Sequence, residues 1–327
     1  MTEPTFGPTA SPAPSTVAGV SWERATIEKL VLAQVKEQRA ARRWKLFMRL
    51  FWLLVIGAIV WFVYRADAMT TPISTPHTAV IEIRGEVAKG AEASAENVVA
   101  SLRSAFEDSG AQAVVLLIDS PGGSPVQAGI INDEITRLKA LHNKKVYAVV
   151  EETCASAAYY IAAAADNIYV DKASLVGSIG VLMDGFGFTG LMDKLGIERR
   201  LITAGSNKGM LDPFSPQDEA QRAYIQSMLN EIHTQFIAVV KKGRGERLKE
   251  TPDTFSGLVW SGQQAVNLGL ADGLGSLDYV AREIVKAEDI VDYTQRENIG
   301  WRLAKRFGVS IGEGVFVAAR AAGLQLR

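Results

Sequence analysis

Cysteine occurs once in the 327 residues, at Cys154. A single thiol excludes an internal disulfide, so cysteine usage says nothing about redox compartment. Histidine is almost as scarce, with three residues. His77 falls in a linker, His142 in a polar loop and His233 inside a long helix, contexts that suit structural or surface roles and leave a serine nucleophile without its usual base. Net charge is nearly absent as well, with 35 Lys and Arg against 36 Asp and Glu. No bulk field therefore calls for nucleic acid. There is no internal repeat, and no residue pattern calls for a cofactor or a metal. What is present is apolar material, 48 % of the chain, enough to build one large domain or two ordinary ones.

That material is unevenly spread. Residues 1–20 are rich in Pro, Ser, Thr and Ala and bury too little to order themselves. Ser21 to Arg43 has a helical period, with Ile27, Leu30, Val31 and Val35 on one side. Leu50 to Tyr64 then runs without a charge, and reaches back to Leu46 if Arg49 snorkels, close to the ~20 residues that cross a bilayer. Trp44, Trp52, Trp61 and Tyr64 stand near its ends, where amphipathic rings prefer to sit. Arg39, Arg42, Arg43, Lys45 and Arg49 cluster before or at its start, which keeps the N-terminus cytoplasmic and exports the domain on the C-terminal side of the span. A cleavable signal peptide ending near Ala66-Asp67-Ala68 is the rival reading, but residues 1–45 are far too long for an ordinary n-region. The expected organisation is a cytoplasmic segment (1–45), a transmembrane signal anchor (46–65), a linker (66–78), an exported domain (79–290) and a tail (291–327). Docking on its own domain is the default for that tail.

Within the exported domain, strands alternate with helices, the pattern of an α/β fold with a mainly parallel sheet. Ala79 to Val87 reads as a first strand, and Ser94 caps a helix to about Glu107. Val114 to Ile118 is wholly apolar, as a strand buried on both faces should be. Next come a helix from Pro125 to about Leu141, a strand from Lys145 to Val150, an alanine-rich helix from Ala157 to Ala165, and short strands at Asn167 to Val170 and Glu198 to Thr203. Leu175 to Val181, punctuated by Gly177 and Gly180, reads as a close-packed turn or bulged strand. Ser215-Pro216 with Glu219 opens a long helix with Tyr224, Met228, Ile232, Phe236 and Val239 on its core face. A last short helix spans Ser261 to Leu268.

Three places can carry chemistry. Ser156 stands where a strand turns into a helix, so that unpaired N–H groups and the helix dipole can receive an oxyanion. A plain N-cap is the competing role. Gly122 and Gly123 come directly after the buried strand, and without a side chain in the way Gly123 can donate an N–H to the same oxyanion. A Pro-Gly turn with Ser124 as N-cap and Pro125 at the first helical position is compatible with that. With no histidine in a context that points to catalysis, a neutral lysine can serve as the base. At the ordinary pKa of about 10.4 only on the order of one lysine in a few thousand is neutral at pH 7, so such a base must be desolvated. Lys208, alone among small and apolar residues in Gly205-Ser206-Asn207-Lys208-Gly209-Met210-Leu211, is the candidate, against the common case of a solvated surface lysine.

Taken together, Asp119-Ser120-Pro121-Gly122-Gly123, Ala155-Ser156 with Tyr159-Tyr160-Ile161-Ala162, Val176-Gly177-Ser178-Ile179-Gly180-Val181 and Ser206-Asn207-Lys208 resemble the bacterial signal peptide peptidase A family in its short single-domain form. The resemblance runs from about Val80 to Val280, with all four motifs in order. It implies a Clp-protease/crotonase-like fold, Ser156 as nucleophile, Lys208 as general base, Ser178 orienting the lysine and Gly123 in the oxyanion hole. It also implies a homo-oligomeric ring whose sites take serine and lysine from neighbouring subunits. The substrates implied are hydrophobic remnant signal peptides, cut at the exported, periplasmic face of the bacterial cytoplasmic membrane. The family commonly carries two glycines after the serine, where this chain has Ala157 and Ala158. The alternatives are a catalytically silent membrane scaffold of the same fold and, less favoured, an acyl-CoA enzyme.

Overall fold

The computed structural model of the chain describes residues 19–68 and 75–296. The segment expected to lack order (1–20) and the tail (291–327) therefore fall largely outside the described residues. Contacts divide the chain into two units, Met1–Thr71 and Pro72–Arg327.

In the first unit one helix, α1 (Gly19–Ala68), joins what the sequence read as a cytoplasmic helix and a span. Leu50, Trp52, Leu53, Leu54, Ile56 and Ile59 are exposed along it. Among the described residues no helix is long and apolar enough to cross a membrane. The expected span includes positions 60 and 62–65, whose side chains lie outside the description.

The second unit is built on a sheet of strands β1 (His77–Arg84), β2 (Ala111–Ser120), β3 (Lys145–Ala155), β4 (Asn167–Val170), β5 (Leu175–Gly177), β6 (Val259–Ser261), β7 (Gly273–Leu274) and β8 (Ile290–Asp292). Its order is β6-β5-β3-β2-β1-β8, with β4 pairing β3 and β7. Every pairing is parallel except β5 with β6. Helices α2 (Ala95–Glu107), α3 (Pro125–His142), α4 (Ala157–Ala162), α5 (Thr189–Leu195), α6 (Glu219–Arg244) and α7 (Gly262–Asn267) lie between the strands in sequence. A single turn, α8 (Leu277–Tyr279), continues as a π-helix (Val280–Val285) before β8. The α/β reading with a mainly parallel sheet therefore holds.

The period-2 alternation of β2 explains why its run is apolar throughout. Val114, Leu116 and Ile118 join the main core with Ile131, Ile135 and Leu138 of α3. Val115 and Leu117 point to the other face, where Val80, Val149 and Val280 meet them. The caps agree with the sequence too, since Ser94 accepts from the Asn97 N–H, and Ser124 from the Gln127 N–H with Pro125 beginning α3.

Two expectations need correction. Glu198 to Thr203 forms no strand. Its apolar residues find no partner strand among the described residues, and Ile202 is 95 % exposed. On α6 the buried face is Ile225, Phe236, Val240 and Arg244. Of the expected core face, Phe236 is buried and Met228, Ile232 and Val239 are half-buried, whereas Tyr224 is exposed; the helix is capped by Asp218, which accepts the Gln221 N–H, and not by Ser215.

Candidate active site

Four features bring the motif residues to the C-terminal end of the sheet, where α/β folds place their ligands. First, β3 changes partners. Its lower half pairs with β4 up to Val150, and its upper half, Thr153 to Ala155, pairs with β5. Opposite β2 the register jumps from Ile118↔Val150 to Ser120↔Cys154. The bulge is held by Asp119, whose Oδ1 accepts the Thr153 N–H at 3.2 Å.

Second, that raised strand end delivers Ser156 into α4 through a backbone of φ 53° and ψ −122°. Such a conformation costs a non-glycine residue on the order of 1–3 kcal/mol and persists only where its surroundings enforce it. Here the Ser156 N–H donates to the Gly177 carbonyl at 2.8 Å, and the Ser156 carbonyl accepts from Tyr160 at 3.0 Å. The Ser156 side chain makes no capping bond. This removes the N-cap role that the sequence left open. A serine on a strained strand-to-helix turn presents its hydroxyl outward from the sheet end.

Third, the glycine loop packs on that turn. Gly122 has φ +105°, and a β-carbon there would lie 2.7 Å from Ser156 Cβ and 2.7 Å from the Ala155 carbonyl oxygen. Its N–H donates to the buried Ser120 hydroxyl at 3.2 Å. Gly123 bridges Val87, and the bridge uses the Gly122 carbonyl and the Ser124 N–H, at 2.8 Å each. The exposed Gly123 keeps its own N–H out of that pairing. Gly122→Ala should therefore displace the Ser156 turn and lower kcat/KM for a peptide substrate roughly 100-fold, as small misplacements of reacting groups do. Steady-state kinetics on folded protein will check this; wild-type kinetics would mean the loop and the serine are not coupled.

Fourth, Ser178 stands directly after the β5 residue that accepts the Ser156 N–H, and it too has positive φ, 49°. Its N–H donates to the Leu258 carbonyl at 2.8 Å, and its carbonyl accepts from Gly180 at 2.9 Å. The structure thus gathers Ser156, Ser178, Gly122 and Gly123 at one sheet end. Ala157 and Ala158 are 4 % and 0 % exposed and belong to the core. Their methyl groups fill core space and do not line an approach to Ser156. Cys154 is fully buried, and burial pushes its thiol well up, so it is an inert core residue.

No hydrogen bond joins Lys208 to this group among the described residues. The lysine is exposed, in a turn where its N–H donates to the Gly205 carbonyl at 3.1 Å. Its ammonium makes no hydrogen bond or ion pair among the described residues. It lies on an arm, residues 181–217, that carries no strand and holds itself together by Phe188 stacked on Phe214 at 5.4 Å and Arg199 paired with Asp212 at 3.2 Å. Leu182, Phe186 and Ile202 on this arm are 81 %, 80 % and 95 % exposed.

Reading the sequence gave no role to Asp119. A carboxylate at the end of a buried strand must find donors, and that rule was the available signal. The contact of His233 with Ile179 had no signal, since 54 residues separate the two.

A profile of Peptidase family S49 matches residues 139–291. A candidate protease of Methanocaldococcus jannaschii is 34 % identical over 215 residues, covering 64 % of this chain and 68 % of that one. A candidate signal peptide peptidase SppA of Enterococcus faecium is 30 % identical over 199 residues, covering 61 % and 58 %. A Brucella melitensis chain named as the Na(+)/H(+) antiporter NhaA is 44 % identical over 214 residues, 65 % of this chain, which spans only 29 % of the antiporter's length. Identity at this level, sustained over two thirds of a protease of similar size, places the chain in Peptidase family S49, as a serine peptidase.

Proposed function

We propose that the protein is a membrane-anchored endopeptidase that hydrolyses apolar signal-peptide remnants with a Ser156/Lys208 dyad. The observation that carries this reading is the strained, uncapped turn at Ser156, held against Gly122. Neutral Lys208 takes the hydroxyl proton as Ser156 Oγ bonds to the scissile carbonyl carbon. The N–H groups of Gly123 and Ala157 receive the oxyanion. As the C–N bond breaks, the lysine returns the proton to the leaving amine, and water releases the acyl group by the same route. Ser178 orients the lysine.

The dyad closes between copies of the chain. The apolar exposure of the 181–217 arm favours its burial on a neighbour, which supplies the dry surroundings a neutral lysine needs. Repeated around a homo-oligomeric ring, each site takes Ser156 from one subunit and Lys208 from the next, in a Clp-protease/crotonase-like arrangement. The exposed apolar residues of α1, preceded by Arg39, Arg42, Arg43 and Lys45, favour a single-pass anchor with the basic side in the cytoplasm and the peptidase domain at the exported face. A substrate left within the bilayer fits that placement. The peptidase relatives weigh against an acyl-CoA enzyme.

A serine-directed acylating probe, such as a β-lactone, should label Ser156 in the assembled protein and fail to label Lys208→Ala. Assembled wild type that takes no label would leave the silent scaffold as the better reading.

A further inference from the structure

We propose that His233 is a positioning residue that fixes the Ser178 turn, and through it the orientation of the proton-accepting lysine. The inference rests on the roles proposed for Ser156, Lys208 and Ser178 and extends them to a residue on another element. The turn Ser178-Ile179-Gly180 is held by the buried Ile179 side chain and makes three hydrogen bonds among the described residues. Two are backbone bonds, from the Ser178 N–H to Leu258 and from the Gly180 N–H to the Ser178 carbonyl. The third is made by a side chain, His233 Nε2 to the Ile179 carbonyl at 3.0 Å. A carbonyl only accepts, so Nε2 carries the hydrogen.

What makes this bond more than a surface contact is the element that supplies it. One turn further along α6, Phe236 packs against Tyr160 of the nucleophile's helix, the rings tilted at 42° with centroids 5.2 Å apart. Two turns beyond that, a β-carbon at Gly243 would lie 2.0 Å from the Ala163 carbonyl oxygen, so α6 and the end of α4 are in close backbone contact. The opposite end of α6 touches the loop of Lys208, where Gln221 Nε2 donates to Asn207 Oδ1 at 3.4 Å. A single helix thus grips the Ser156 helix by packing and the Ser178 turn by one hydrogen bond. Ser178 holds a left-handed backbone that costs free energy and relaxes if an anchor is lost. Because Nε2 stays protonated in both the neutral tautomer and the cation, the role needs a donor and not a titrating group.

The test compares His233→Leu, which removes the donor, with His233→Gln, whose amide keeps one, alongside Ser156→Ala. Each variant is assembled at wild-type melting temperature and assayed for kcat and KM on an apolar peptide across pH 6 to 9. Expected is a fall in kcat of roughly 10-fold for His233→Leu with KM unchanged, the size of one lost hydrogen bond. His233→Gln should recover kcat to within about 3-fold, with the wild-type pH profile. Wild-type kcat in His233→Leu, or His233→Gln as slow as His233→Leu, would overturn the proposal. His233→Gln as inactive as Ser156→Ala would place the imidazole in the chemistry itself and overturn it also. Turnover retained by Ser156→Ala is a different failure, that of the site assignment.

Discussion

Ser156→Ala and Lys208→Ala should each lower cleavage of an apolar signal-derived peptide by roughly 10^4-fold or more while leaving assembly intact, the scale seen when a member of a catalytic unit is removed. The reason lies in the division of labour. Ser156 already holds its reactive backbone in the single chain, at φ 53° with no capping bond. Lys208 holds nothing there, since it is exposed on an arm whose apolar residues face solvent. If a second copy completes the site, the two dead variants should rescue each other. Subunits carrying Ser156→Ala still bring Lys208, and those carrying Lys208→Ala still bring Ser156. An equal random mixture then restores about a quarter of the sites, since both neighbours must be of the right kind. Rescue near that level, read as specific activity after co-assembly, is the expected result. No rescue from two intact, mixed assemblies would put both groups in one chain and remove the shared site. Activity in Lys208→Ala alone would remove the dyad.

Asp272→Ala should be the most destabilising single substitution on the far side of the domain. Arg244 is 1 % exposed, and its two terminal nitrogens donate to both Asp272 oxygens at 2.8 and 2.9 Å while Nε donates to the Gly269 carbonyl at 2.8 Å. The same carboxylate accepts from Arg247 at 3.0 Å and from the Ile168 N–H at 2.7 Å. It ties the end of α6 to the start of β4. Removing it leaves a buried guanidinium without its counter-ion, a loss of about 3–5 kcal/mol. Urea unfolding at pH 7 will measure it. Burial alone would raise the Asp272 pKa, but the hydrogen bonds and charge of Arg244 override that and hold the carboxyl below its ordinary range. A depressed carboxylate contributes its stability above the unfolded value of ~3.9 and loses it as pH falls through the folded value. The gap between wild type and Asp272→Ala should therefore narrow as pH drops below ~4. A difference under ~1 kcal/mol at pH 7 would mean that Arg244 finds solvent once its partner is gone. Replacing both Arg244 and Asp272 by apolar residues should cost less than Asp272→Ala alone.

Glycine offers a third measure of how tightly the site is specified. Gly122 and Gly123 were legible in sequence as a turn near a ligand, yet their physical necessity is different in each case. Gly122 is required by the side chain of Ser156, while a β-carbon at Gly123 would fall 2.4 Å from the Val87 carbonyl oxygen. Neither contact involves a sequence neighbour. The same distinction applies to the alanines after Ser156. Ala157 and Ala158 differ from the family's usual glycines, and only their burial in the core shows why methyl groups are tolerated.

Local chemistry therefore fixed the elements and the residue types. The uninterrupted apolar run of β2 demanded burial on both faces, Ser94 and Ser124 capped their helices, and Ser156 had to stand at a strand-to-helix junction. Those features depend on periodicity and on groups within four residues, which is what a sequence states directly. Tertiary structure alone decided the rest. The positive φ of Ser156, the Asp119 bond that raises β3, the exposure of Tyr224 on α6 and the failure of Glu198 to Thr203 to pair all hang on contacts between residues far apart in the chain. Strain persists and strands form only where a neighbour compensates them, and no local pattern says which neighbour will be there.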